Sequence, residues 1–505
     1  MPTQWNTVPI KFEGGWRTDL GRLEQGLQYP GSATRLINFE PSIRGGYSRI
    51  SGFTKFDNTN VAPSKADPVI GVVVVSETTA LARKGDTYYT SFGSGWTQKA
   101  IVGRTGATRI NFDSYNFNGN EKFVIVDGQE DPLFYTVGSG TASFDTNAPS
   151  DVTGASLVKV FKNHIFFAKD NILSFTAPYE ETNYDTGDGA GVINIGATIT
   201  GLIVYRDQLI IFTTSSIKRL DGNTSTDFVL QPITDNTGCL SPYTIQEVGG
   251  DILYLGPDGV RWLSATAKNN DFGLDRASAN IQDEILKIIN PNNNYASIVI
   301  RSKNQYRLFN YVSGIDKTLS EGFIATKYSE QDVSNISWSQ IIGMKVYSAH
   351  SRQFLDKEII LFTSSDGFVY RMETGNTFDG LPIKFVFETP YMPINDPRIR
   401  KTFYKHSLYL KSQGILDLTC RLKFDYDPSG SIQPPPFTLL GSSDVSVYGS
   451  AVYGGAYYSS TIADTFINQT VGSGFVVSLS YEGNIVTPPF IINHTVLEFS
   501  INERR

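Results

Sequence analysis

Four histidines, His164, His350, His406 and His494, are the side chains in this 505-residue chain best suited to acid–base chemistry near neutral pH. Such chemistry needs groups that converge, and these four are scattered over separate strand-like stretches. Three lie in alternating apolar and polar patterns, where a lone hydrogen-bonded histidine is the usual occupant. Calcium needs closely spaced oxygen donors. The stretch YDTGDGAG, 184–191, offers Asp185 and Asp188 but lacks the ligand spacing and terminal glutamate of a calcium loop, so it reads as a polar connection. The two cysteines, Cys239 and Cys420, are distant in sequence and give neither a thiolate metal cluster nor a disulfide framework. No nucleophile elbow, phosphate-cradling glycine loop or HExxH helix is present. The expectation is therefore a protein that is not an enzyme, with no catalytic, cofactor-binding or metal-binding residue to name.

Charge bounds the partners. Lys and Arg number 43 against 50 Asp and Glu, a net charge of −7, which is not the balance of a protein that wraps nucleic acid by neutralising phosphates. Basic residues cluster once, at Arg398, Arg400, Lys401 and Lys405, and read as a solvated strand end rather than a phosphate contact. In INFEPSIRGGYSRISGFTKF, 37–56, Arg44 and Arg49 flank a Gly-Gly-Tyr turn and read as solvated arginines of a structural β-turn. The N-terminal MPTQWNTVPIKFEGGW lacks the basic and apolar regions of a signal peptide. The longest aliphatic run, Val69 to Val75, falls far short of the ~18 residues that span a bilayer. With the cysteines, these features point to a reducing compartment.

The elements that must position these residues are set by a repeat. A phrase of apolar burst, tight turn and second burst recurs, as in DILYLGPDGVRWL at 251–263. Its copies begin at Leu81, Phe123, Ile165, Leu209, Ile252, Tyr306 and Ile359. Turn formers such as Lys84-Gly85-Asp86, Asp127-Gly128 and Ser365-Asp366-Gly367 separate the bursts, which reads as β-hairpins. The spacing is near the roughly 40–50 residues of a four-stranded propeller blade. Each blade can bury its faces only against its neighbours, so seven beats predict an all-β, six- or seven-bladed β-propeller over 61–380. The rival is a run of hairpins in a two-sheet sandwich. The fully apolar VIGVVVV is the pattern of a strand buried on both faces.

Residues 1–60 read as an extended N-terminal arm with little core of its own. One helix is expected in DRASANIQDEILKIIN, 275–290. There Ile281, Ile285 and Ile288 recur at helical spacing, Leu286 and Ile289 widen the stripe, Ser278 or Asn280 caps the start and Pro291 stops it. Residues 381–505 alternate as a β-sandwich-like domain, interrupted by a Ser/Gly/Tyr-rich loop at 430–470. The tyrosines of that loop suit either a free segment or a contact with a neighbouring subunit.

Several phrases together resemble a known family. NFEPSIRGGYSRISGFTKF, YTIQEVGGDILYLGPDGVRWLSA with the helix after it, ETPYMPINDPRIRKTFYKHSLYL and the terminal LEFSINERR are similar to β-propeller tail hub or nozzle proteins of short-tailed bacteriophages. These are also called tail tubular protein B or the tail accessory factor. The resemblance implies a virion structural protein, assembled in the bacterial cytoplasm as a homo-oligomer, usually a hexamer. It would dock beneath portal and adaptor as the distal DNA-ejection conduit, with tail fibre or needle proteins as further partners. Little material lies between the blades, which puts fibre-docking domains in doubt. A mildly acidic conduit would let DNA slide where a basic wall would hold it. Two other classes compete: a carbohydrate-binding or glycan-cleaving propeller, and a scaffold propeller that binds proteins on its top face.

Overall fold

The seven beats occupy one structural position. In the computed structural model of the protein, which describes residues 5–43, 45–101, 106–264, 276–314, 320–328, 336–412, 416–427, 433–441 and 462–502, each beat lies on the second strand of an antiparallel sheet. Leu81, Phe123, Ile165, Leu209, Ile252, Tyr306 and Ile359 are all buried. The turn formers follow that strand, as the hairpin reading requires.

These sheets build a β-propeller of six four-stranded blades: 69–101, 111–144, 157–194, 199–234, 294–342, and 348–372 completed by the strand Phe53–Lys55. A three-stranded sheet, 246–262, fills the sector between the fourth and fifth blades. Apolar clusters glue successive sheets together, for example Tyr115, Val124 and Phe167 between the second and third blades. Val72, Leu361 and Val369 do the same between the sixth and the first. Each large apolar side chain buried this way is worth about 1.5–3 kcal/mol. Val69–Val74 is buried at every position, as its unbroken apolar run predicted.

Phe53–Lys55 corrects the expected boundary of the arm at residue 60. It is the outer strand of the last blade, with Phe53 opposite Met372 and Lys55 opposite Tyr370. Its entry is tight at Gly52, where a Cβ would fall 2.0 Å from the Thr377 carbonyl oxygen. The rest of the N-terminal region is woven through the fold as well. Asn6–Lys11 pairs with Ile491–Ile501, and Arg35–Ile37 lies between the fifth blade and Ile383–Glu388. That insertion makes the fifth blade continuous with a nine-stranded sheet running on through Val477–Ile485, Leu416–Phe424 and Phe437–Gly441.

Against it packs a six-stranded sheet. It contains Phe39–Pro41, Tyr47–Arg49, Ile491–Ile501, Lys401–Ser412 and Ile462–Gly474, with Asn6–Lys11 on the same central strand. Phe12, Phe39, Phe387, Phe403, Leu422 and Tyr481 share the core between them. Leu416–Phe424 alternates buried and outward positions throughout, the period of a strand with one covered face.

Four further expectations are corrected. Arg49 is not solvated: it is fully buried and donates to the carbonyls of Asn376 and Thr487, and burial lowers its pKa to about 10. Arg44 lies outside the described residues. The expected helix is short, a 3-10 turn Ala279–Ile281 followed by Gln282–Ile288, and Leu286 is 47% exposed while Ile281, Ile285 and Ile288 are buried. Ser278 does not cap it. Its hydroxyl accepts from Val260 N instead, because the turn packs on the three-stranded sheet. The expected loop at 430–470 contains the strand Phe437–Gly441 and most of Ile462–Gly474, and 442–461 lies outside the described residues. A second helix, Arg22–Gln28, carried no periodic apolar signal and was not expected.

Candidate functional site: the propeller axis

First strands surround the axis. Neighbouring blades come closest there but share no ladder, so backbone groups on the inner edges are met by side chains. Asn111 Oδ1 and Asp113 Oδ2 accept from Val158 N and Val160 N, both at 2.9 Å. Gln246 donates to the Ser297 carbonyl, and Ser297 to that of Tyr243 at 2.7 Å. His350 Nδ1 accepts from Val74 N at 2.9 Å and its ring meets Phe112 edge-on. These bonds stitch adjacent blades, and satisfying buried backbone is their physical reason.

Two cavities lie along this axis and share Pro242 and Tyr243 in their walls. One, about 410 Å³, is lined at one end of the first strands by residues that include Arg109, Thr200 and Tyr295, with Asp127 from the turn after a second strand. The other, about 320 Å³, lies among the first strands themselves, with Asp113, Lys159, His350 and Arg352 in its lining. Charges in the second cavity are matched: Lys159 sits 3.1 Å from Asp113, and Arg352 pairs with Glu121. Burial, assisted by the charge of Arg352, lowers His350 to about 3.

Arg109 closes the wall of the first cavity. Its guanidinium lies 3.8 Å from the centre of the Tyr243 ring and 5.5 Å from that of Tyr347. Nη1 donates to the carbonyls of Tyr295 at 2.9 Å and Tyr347 at 2.6 Å. One side chain therefore ties the entry of the second blade to the fifth and sixth. Nothing in the sequence singled it out, since an isolated arginine before a strand has no pattern.

The residues read from sequence are not brought together. His164 Nδ1 meets the Thr176 carbonyl at 2.5 Å, His406 Nε2 meets the Tyr481 hydroxyl at 3.0 Å, and His494 stacks on Tyr409. Of the four, only His350 faces an axial cavity. Asp185 accepts from Gly187 N within its own turn. Cys239 and Cys420 are both buried free thiols, and burial raises the pKa of each. Among the described residues, no group of three His, Cys, Asp or Glu side chains could hold a metal ion, and no helix is long and apolar enough to cross a membrane. The basic cluster disperses, and its reading as a solvated strand end is corrected at Lys401. That side chain is buried, with Nζ donating to the carbonyls of Pro393, Asp396 and Phe475, while Arg398 pairs with Asp396 and Lys405 with Glu498.

No family model matches the chain, and no curated protein matches it. Among solved structures it is similar to the computationally designed Ika8 protein, at 12% identity and TM-score 0.34 over 63% of this chain and 99% of that one. It is likewise similar to YCF48 bound to D1 peptide, at 12% identity and TM-score 0.39 over 63% and 96%. A third is the extracellular domain of the putative one component system BT4673 from B. thetaiotaomicron, at 11% and 0.41 over 78% and 48%.

Proposed function

We propose that this protein is a virion structural component of a short-tailed bacteriophage, a tail hub or nozzle that assembles as a homo-oligomer, a hexamer, beneath portal and adaptor. In this reading the two C-terminal sheets are a β-sandwich-like domain, and the residues ahead of Phe53–Lys55 are the arm that binds it to the propeller. Two of the sequence phrases similar to that family fall where the propeller meets the C-terminal sheets. NFEPSIRGGYSRISGFTKF supplies strands to the six-stranded sheet and to the last blade, and ETPYMPINDPRIRKTFYKHSLYL enters Lys401–Ser412.

The observation that carries the assembly role is an edge. Ile462–Gly474 is a 13-residue strand paired on one side with Lys401–Ser412 and, among the described residues, with nothing on the other. Ile467 is 59% exposed and Val471 is 73% exposed. Long apolar edges template pairing with another chain, and proteins that remain monomeric blunt or cover them. A second copy of this chain is the partner in this reading.

Immunogold electron microscopy with antibody to the purified protein tests it on particles from the source. Label confined to a tail at one capsid vertex is the expected result. Label absent from particles and present on cell surfaces or in the medium overturns the virion role.

A further inference from the structure

A buried cation ordinarily has a carboxylate beside it, because desolvation of an unpaired charge is costly. Arg109 is 8% exposed, and no carboxylate is among its partners. Burial holds its pKa below the ordinary arginine value, and the groups acting on its charge are the tyrosines Tyr243 and Tyr347. The two carbonyls it reaches are both taken by Nη1. Nε is buried without a partner, and Nη2 has none among the described residues and is left toward the cavity.

The acid in the same wall does not supply the missing charge. Asp127 accepts from Gln129 N and Glu130 N through Oδ1 and is committed to buried Arg83 through Oδ2. A second unsatisfied group, the hydroxyl of Thr200, lies in the lining. The cavity of about 410 Å³ is within the range that holds small molecules. Among the described residues its free charge is thus one guanidinium, Tyr243 and Tyr295 stand beside small and polar side chains in its wall, and it has a volume to fill.

From this geometry we infer that the axial cavity is a binding site for a small organic monocarboxylate, held by Arg109 through charge-assisted hydrogen bonds and packed beside Tyr243. A planar fork of N–H donors suits a carboxylate. A single guanidinium beside a committed aspartate matches one negative charge and leaves a phosphate dianion undercompensated. An aromatic body suits the ligand, since Tyr243 lines both cavities. This site is independent of the tail reading, which places assembly on the C-terminal edge.

Benzoate is the probe, titrated into the full-length protein by isothermal calorimetry, with benzamide as the uncharged control of the same shape and inorganic phosphate as the alternative anion. Saturable one-to-one binding of benzoate is expected, with benzamide and phosphate each at least tenfold weaker. Arg109→Gln is expected to weaken benzoate at least tenfold. Should that variant not fold, Thr200→Val, in the same lining, is expected to weaken benzoate several-fold in the intact protein. Absence of benzoate binding at millimolar concentration overturns the site. Equal binding of benzamide overturns the charge assignment, tighter binding of phosphate overturns the carboxylate, and affinity unchanged in both folded variants overturns the location.

Discussion

Phe53 and Met372, from opposite ends of the propeller's sequence, stand directly across an antiparallel ladder from each other. Phe53 is buried, stacks on Phe378 with ring centres 5.1 Å apart and meets Phe362 and Tyr370 edge-on. The ring is therefore closed by an N-terminal strand in a C-terminal blade, and the last blade lacks its outer strand until that contact forms. Phe53→Ala is expected to destabilise the protein by about 3–5 kcal/mol, the cost of removing a buried phenyl ring. Leu355→Ala, at a side chain that is 100% exposed, should change stability by less than ~0.5 kcal/mol. Urea unfolding checks both, and equal midpoints would show that closure does not limit stability.

A second joint is ionic. Arg307 is fully buried, 3.0 Å from Glu40 and 2.8 Å from Glu373, while Lys303 reaches Glu40 at 2.7 Å and Glu373 at 2.5 Å. The four groups link the N-terminal strand Phe39–Pro41 to the fifth and sixth blades. Burial alone would raise Glu373, but the charges of Arg307 and Lys303 outweigh it and hold the carboxyl at about 2. A lowered carboxyl stabilises above its unfolded value of 4.5, and that contribution is lost as pH falls from there toward 2. Glu373→Gln is expected to cost about 3 kcal/mol at neutral pH, since it leaves Glu40 as the one carboxylate beside two cations. It should also flatten the acid limb of the stability curve. Parallel acid limbs in chemical denaturation would refute the assignment.

The propeller was legible because its signal is periodic. Leu81, Phe123 and the other beats had to be apolar on both faces of a second strand, so the spacing survives sequence drift. What was not legible depends on long-range contacts. Phe53 looked like part of an arm because three residues of strand carry no period, and Arg49 looked solvated because its partners, Asn376 and Thr487, are remote in sequence. Leu286 fitted the helical stripe within its spread, yet the two turns of this seven-residue helix bury only one face, Ile285 and Ile288, and Leu286 lies off it. At the axis, the histidines could be read as structural, but Arg109 could not be found. Its significance comes from having no carboxylate partner among the described residues.

Two histidines, the buried His406 and the half-buried His350, give a pH dependence of the opposite origin to that of Glu373. Burial lowers His406 to about 4 and His350 to about 3, against an ordinary 6.5. Both stay neutral in the fold while the unfolded chain takes up protons below pH 6.5. Their contribution is thus complete above that value and is lost as pH falls through it, by about 1.4 kcal/mol per pH unit for each histidine until the folded value is reached. In an NMR titration their ring Cε1–H signals should stay flat from about pH 8 to about pH 5.5. A midpoint near 6.5 for either would contradict burial as neutral imidazole.

The C-terminal edge separates folding from assembly. Ile467 and Val471 protrude from the outermost strand of the six-stranded sheet and belong to none of the apolar core clusters. Lysine at an edge strand disfavours pairing with another chain, because its charge must be desolvated for the edges to meet. Ile467→Lys with Val471→Lys should therefore leave the urea midpoint nearly unchanged, within ~0.5 kcal/mol. Sedimentation velocity should then show a monomer at concentrations where the parent chain associates. A parent chain that stays monomeric throughout would remove the edge as a self-association surface. A double variant that associates as the parent does would place the interface elsewhere on the molecule, because the two substitutions put two charges on the strand that would have to pair.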